Sequence, residues 1–127
     1  MKLSDFEIEL MQFLWNTGQS SAPELHVLVQ EHKEVTYSTV KTIVDRLEKK
    51  GAIFRSAQKG RTIYYQAKVQ REEITKPLVK GFIHRMFAGK SMPLVSQLLE
   101  DETLNAQDID YLEQLLAEKK SKLEDKS

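Results

Sequence analysis

The sequence predicts a mainly α-helical chain with one small β-hairpin, and three observations carry that expectation. Residues 36–50 place Val40, Ile43, Val44 and Leu47 at the i, i+3, i+4, i+7 spacing of a helix with one buried face, and Gly51 follows as a natural C-cap. Residues 53–66 alternate in character on either side of Gly60, the pattern of a short hairpin. Beyond residue 70 the chain turns Leu-rich and helical. A helix feeding directly into a hairpin reads as a recognition helix followed by a wing. The expected fold class is therefore mainly α with a small β-hairpin wing: a winged helix-turn-helix domain over 1–70, plus a C-terminal helical dimerisation region over 71–127.

The elements follow in order from local signals. Ser4 and Glu7 form a capping-box pattern, and the helix they start carries Phe6, Leu10, Phe13, Leu14 and Trp15, with Trp15 in the core, before Asn16-Thr-Gly18 stops it. Ser21 and Glu24 repeat the pattern; Pro23 sits in the first turn, where its missing N–H is tolerated, and Leu25, Leu28 and Val29 make the apolar stripe of a helix ending near His32. In the hairpin, Ile63 and Tyr65 share one face of the second strand and Thr62, Tyr64 and Gln66 share the other, so one face can pack on the domain while the other stays near solvent.

Charge separates the segments sharply. The chain is neutral overall, but residues 1–32 carry −4, residues 33–71 carry +7 and residues 72–127 carry −3. The positive excess falls on the expected recognition helix and wing, where a phosphate-binding surface needs it. About 100° of rotation per residue places Ser38, Thr42, Asp45 and Lys49 opposite the apolar stripe, flanked by Tyr37, Thr39, Lys41 and Arg46. The start of a recognition helix enters the major groove, so Tyr37, Ser38, Lys41 and Thr42 are base or near-base candidates, with Thr36 and Thr39 beside them. Ser38 and Thr39 equally suit a role in helix capping. Arg46 and Lys49 are placed to grip phosphate, and Asp45 is expected to pair with Lys41 or Lys49. At the wing, Arg55, Lys59, Arg61 and Thr62 are backbone or minor-groove candidates, and Gly60 permits the turn and a close approach.

The C-terminal part reads as a dimerisation module. Ile74, Leu78, Phe82 and Met86 recur at four-residue steps with Val79, Ile83 and Phe87 alongside. Pro77, which costs about 3 kcal/mol inside a helix, marks either a helix start close to Thr75 or a kink. A short helix from Ser91 carries Leu94, Val95, Leu98 and Leu99, and Asn105 caps a last helix with Ile109, Leu112, Leu115 and Leu116. The expected interface is Leu78, Phe82, Ile83, Met86, Phe87, Leu94, Val95, Leu98, Leu99, Ile109, Leu112, Leu115 and Leu116; each of these would serve equally as intrachain core. A dimer also supplies the two half-site contacts, one helical turn apart, that such proteins make on DNA.

The stretch Glu34-Val-Thr-Tyr-Ser-Thr-Val-Lys-Thr-Ile-Val-Asp-Arg-Leu-Glu-Lys-Lys-Gly51, the wing ending Ile63-Tyr-Tyr65 and the later Met86-Phe-Ala-Gly89 resemble the penicillinase repressor family (BlaI/MecI/CopY) over nearly the whole chain. Winged helices of the multiple-antibiotic-resistance type share much of the helix-to-wing stretch, so the C-terminal part distinguishes the families. The resemblance implies a bacterial homodimeric repressor of transcription that binds an inverted-repeat, double-stranded DNA operator. It further implies, for the antibiotic-resistance branch, relief by a membrane-anchored sensor metallopeptidase that cuts an Asn-Phe bond in the dimerisation region; Gln97-Leu98 stands at the matching position here. The Cys-x-Cys motif of copper-responsive members has no counterpart, since the chain has no cysteine.

Other chemistry finds little support. The missing cysteines remove thiol catalysis, thiolate metal sites and disulfides. His26, His32 and His84 lack a metal-site spacing, and there is neither a nucleophile elbow nor a phosphate-cradling glycine loop. No enzyme, cofactor or metal is expected. No apolar run is long enough for membrane insertion, so the expected location is the cytoplasm. The reading from another class is a winged-helix protein-interaction module without sequence-specific DNA binding.

Overall fold

The structure, a computed structural model, describes residues 1–126. Three helices open the chain: α1 (Asp5–Thr17), α2 (Ala22–Gln30) and α3 (Tyr37–Lys50), with a two-residue strand β1 (Ser20–Ser21) before α2. Both expected capping boxes form. The Ser4 N–H donates to Glu7 Oε1 at 2.7 Å while the Glu7 N–H donates to Ser4 Oγ, and Ser21 and Glu24 repeat the exchange. Gly18 ends α1 at φ +83° and Gly51 ends α3 at φ +81°, a left-handed conformation open to glycine at little cost.

The hairpin comprises β2 (Ile53–Lys59) and β3 (Thr62–Ala67), turning at Gly60 with φ +62°. β1 adds a third antiparallel strand beyond β3, pairing Ser20 with Tyr65 and Ser21 with Tyr64. Sequence periodicity gives no sign of this strand, because two residues have no period and their pairing partners lie more than forty positions away. A register shift between Arg55 and Ala57 leaves Ser56 as a bulge. Of the two faces of β3, the one bearing Tyr65 and Ile63 turns to the core, which includes Leu3, Leu10, Met11, Leu14, Leu25, Val29, Val40, Ile43, Val44, Leu47, Ile53 and Ile74. Trp15 lies at its margin, half-buried, and donates its indole N–H to the Val69 carbonyl at 3.0 Å.

The chain divides into two compact units within α4 (Arg71–Phe87), one formed by residues 1–80 and the other from Gly81 onward. The helix begins at Arg71 and runs through Pro77, so the start near Thr75 is not found. Burial of Ile74 in the first unit's core anchors the turn ahead of the proline. The second unit continues with α5 (Ser91–Asp101) and α6 (Ala106–Asp125), the latter capped by Asn105 through a box with Asp108. No helix among the described residues is long and apolar enough to cross a membrane.

Among the described residues Glu7 is the one carboxylate in the core, 2 % exposed. Besides capping α1, its Oε1 accepts from Lys50 Nζ at 2.7 Å, and that ammonium also donates to the Lys2 carbonyl. Burial pushes the Glu7 carboxyl up, but the Lys50 and Ser4 hydrogen bonds outweigh it and hold the group below its ordinary 4.5. A depressed carboxyl contributes stability that is present above 4.5 and is lost as pH falls through the folded value. The Lys50 side chain is 39 % exposed, so solvent screening reduces the full cost of breaking a buried pair. Lys50→Met is expected to destabilise the fold by about 1–2 kcal/mol at neutral pH. The deficit should shrink under acid; chemical denaturation at both pH values checks this, and an equal deficit at both would contradict the role given to Glu7.

Candidate nucleic-acid interface

The face of α3 opposite its buried stripe is open to solvent. Thr36 is the N-cap of the helix: its side chain accepts from the Thr39 N–H at 3.2 Å and lies within hydrogen-bond distance of the Ser38 and Thr39 hydroxyls. The cap thus belongs to Thr36, and Ser38 and Thr39 join it through their hydroxyls. Thr42 donates its hydroxyl to the Ser38 carbonyl at 2.9 Å, which leaves acceptor lone pairs and a methyl group for any further contact. Tyr37 is exposed and packs edge-on against His26, whose Nε2 lies 2.8 Å from the Val35 carbonyl. His26 therefore braces the loop that leads into α3. Nothing in the spacing of the sequence singles it out, since the contact joins α2 to a loop nine residues later.

The cations divide into two groups. Lys41 pairs with Asp45 at 2.5 Å, the ion pair expected for Asp45, and this hydrogen bond holds the ammonium above the usual lysine range against the effect of partial burial. Arg55 reaches back from β2 to Glu48, donating from Nε at 2.7 Å, and Lys50 is drawn to Glu7. Arg46, Lys49, Lys59 and Arg61 make no ion pair among the described residues and are all exposed. Two of these lie on α3 and two at the wing tip, with Thr62 half-buried beside them. An unpaired exposed cation can exchange condensed counterions for contact with phosphate without first breaking a bond.

On the helices after the wing, much of the expected interface is apolar and open. Leu78, Phe82, Met86, Val95, Leu98, Leu99, Ile109, Leu115 and Leu116 are exposed, as are Val79, Met92, Tyr111 and Leu123. Ile83, Phe87, Leu94 and Leu112 are half-buried. Gln97 and Leu98 lie exposed within α5. Apolar exposure on this scale is unusual for a monomer.

Residues 3–118 match the family model described as penicillinase repressor. The penicillinase repressor of Staphylococcus aureus is 31% identical over 117 residues, spanning 91% of this chain and 91% of that protein. The methicillin resistance regulatory protein MecI of Staphylococcus aureus strain N315 is 29% identical over 118 residues, spanning 93% of this chain and 95% of its own. Among solved structures, a mutant MarR from E. coli matches with a TM-score of 0.50 at 16% identity, covering 92% of this chain and 77% of that one. At that identity the likeness concerns the winged-helix fold alone.

Proposed function

The chain belongs to the penicillinase repressor family, winged-helix repressors of transcription and not enzymes, and from that premise we propose that it acts as a homodimer on an inverted-repeat DNA operator. The observation that carries the reading is the set of unpaired cations, Arg46, Lys49, Lys59 and Arg61, on the open face of α3 and the wing tip. In this reading α3 enters the major groove, with Tyr37, Ser38, Thr39 and Thr42 near the bases and Thr36 at the helix start. The four free cations, with Lys41 and Arg55 while they keep their carboxylate partners, engage phosphate. The dimer is held by the apolar surfaces of α4, α5 and α6.

Relief in this account follows loss of the interface. A cut at Gln97–Leu98 by a sensor metallopeptidase would divide α5, separate the protomers and halve the DNA contacts per particle. Peptidases bind extended substrate, so α5 must first unwind, and its Lys90 N-cap makes no side-chain hydrogen bond to resist fraying.

Two substitutions test the division of labour on α3. Arg46→Ala is expected to weaken binding to every duplex and to flatten the salt slope by about one unit. Thr42→Ala is expected to leave the slope alone and to narrow the gap between operator and random DNA. Anisotropy titrations on both duplexes measure this; equal effects from the two variants would contradict it. An interaction module without DNA binding would show no salt-steep binding to any duplex.

A further inference from the structure

A small cleft of about 120 Å³ opens where the N-terminal turn of α2, the first turns of α3 and strand β3 come together. Pro23, Tyr37, Lys41, Arg61, Thr62 and Tyr65 are among the residues lining it. Tyr65 is 1 % exposed, and its buried hydroxyl has no hydrogen-bond partner among the described residues. A buried hydroxyl without a partner is costly, which makes it a donor in want of an acceptor. The cleft's lining supplies cations instead: Lys41, which is paired with Asp45, and Arg61, which has no carboxylate partner among the described residues. Tyr65, Lys41 and Arg61 all line the cleft, which has room for one small oxyanion, and a neutral donor in the company of two cations suits an acceptor that is itself negative.

We propose that this cleft seats a single phosphate group of the DNA backbone, with the Tyr65 hydroxyl donating to one oxygen and Lys41 and Arg61 supplying the charge. The inference rests on the DNA-binding reading and extends it to a buried residue that strand alternation assigns only to packing. The site couples helix to wing. One phosphate held between α3 and β3 would fix how deeply both elements sit on the duplex, so Tyr65 acts in positioning while Arg46 and Lys49 act through charge.

The test is Tyr65→Phe, which deletes the hydroxyl and keeps the ring in the core. Duplex affinity is expected to fall about tenfold, the worth of a hydrogen bond to a charged acceptor, with the salt slope unchanged because no cation is lost. Thermal stability without DNA should hold or rise, since an unsatisfied buried group has been removed. Unchanged affinity in the variant would overturn the assignment while leaving wild-type, salt-steep DNA binding intact. Affinity lost together with thermal stability would also overturn it, because the hydroxyl would then serve the fold.

Inorganic phosphate, added at constant ionic strength in place of chloride, separates the two sources of the anion. If it raises the melting temperature of the wild type and not of Tyr65→Phe, the cleft takes free phosphate as well as the backbone group. No phosphate effect alongside a tenfold loss on duplex confines the site to the DNA backbone. Should the wild type bind no duplex at all, the DNA reading falls, and the phosphate-dependent melting shift still decides whether the cleft binds an anion.

Discussion

Met86→Glu combined with Leu116→Glu is expected to convert the protein to a monomer and to lower operator affinity by at least about a hundredfold. The magnitude follows from linkage between half-sites: once one protomer is bound, the second binds at an effective concentration set by the dimer, a gain of about 10²–10⁴ that separated protomers lose. Met86 is 65 % exposed and Leu116 68 %, so each side chain contributes little to its own protomer and a charge there leaves the fold intact. In an apolar interface the same carboxylates would be buried without partners, at a cost of several kcal/mol each. Point substitution is the cleaner route than truncation after Lys68. That cut removes the Val69 carbonyl, which accepts from Trp15, and Ile74, which lies in the first unit's core, so it would damage the DNA-binding unit as well. Sedimentation gives the oligomeric state and anisotropy the affinity. A variant still dimeric with full affinity would move the interface away from these helices.

Lys59→Ala with Arg61→Ala should cost the wing its phosphate grip. Each lost contact removes about 0.9 from the salt slope, so the double variant should show a slope shallower by about two units. If wild type and variant converge near 1 M salt, that difference amounts to about two-hundredfold in affinity at about 50 mM and about twentyfold at about 200 mM. The loss should be equal on operator and random DNA, because backbone contacts carry no sequence information. Arg55→Ala offers the contrast: its guanidinium already pairs with Glu48, so its removal frees a carboxylate near the interface and should weaken binding by repulsion as well as by lost contact. A wing variant that lost affinity for the operator alone would assign the wing to base reading.

The first unit was legible because its elements announce themselves locally. Ser4 with Glu7 and Ser21 with Glu24 mark helix starts, Gly18 and Gly51 mark helix ends, and Val40, Ile43, Val44 and Leu47 mark the buried face of α3. The Lys41–Asp45 pair was legible for the same reason, since four residues on a helix fix the distance. Features made by contacts distant in sequence were not. Lys50 counts toward the basic segment in a sum of charges, but it is spent on Glu7, 43 residues away. Arg55 is likewise turned to Glu48 by the course of β2, so the candidate site contains fewer free cations than the local charge suggests. Strand β1 and the bulge at Ser56 exist only through their pairing with β3. Tyr65 shows alternation alone to a reader of the sequence; that its hydroxyl is buried without a partner among the described residues depends on packing between elements distant in the chain.

Fluorescence anisotropy of the protein on a duplex from its own promoter and on a scrambled duplex, at about 50 and about 200 mM salt, tests the central claim most directly. The account predicts preferential binding to the promoter duplex, with affinity on both falling steeply over that range, by roughly a thousandfold for about six phosphate contacts. Binding that is weak, equal on both duplexes and indifferent to salt would contradict it.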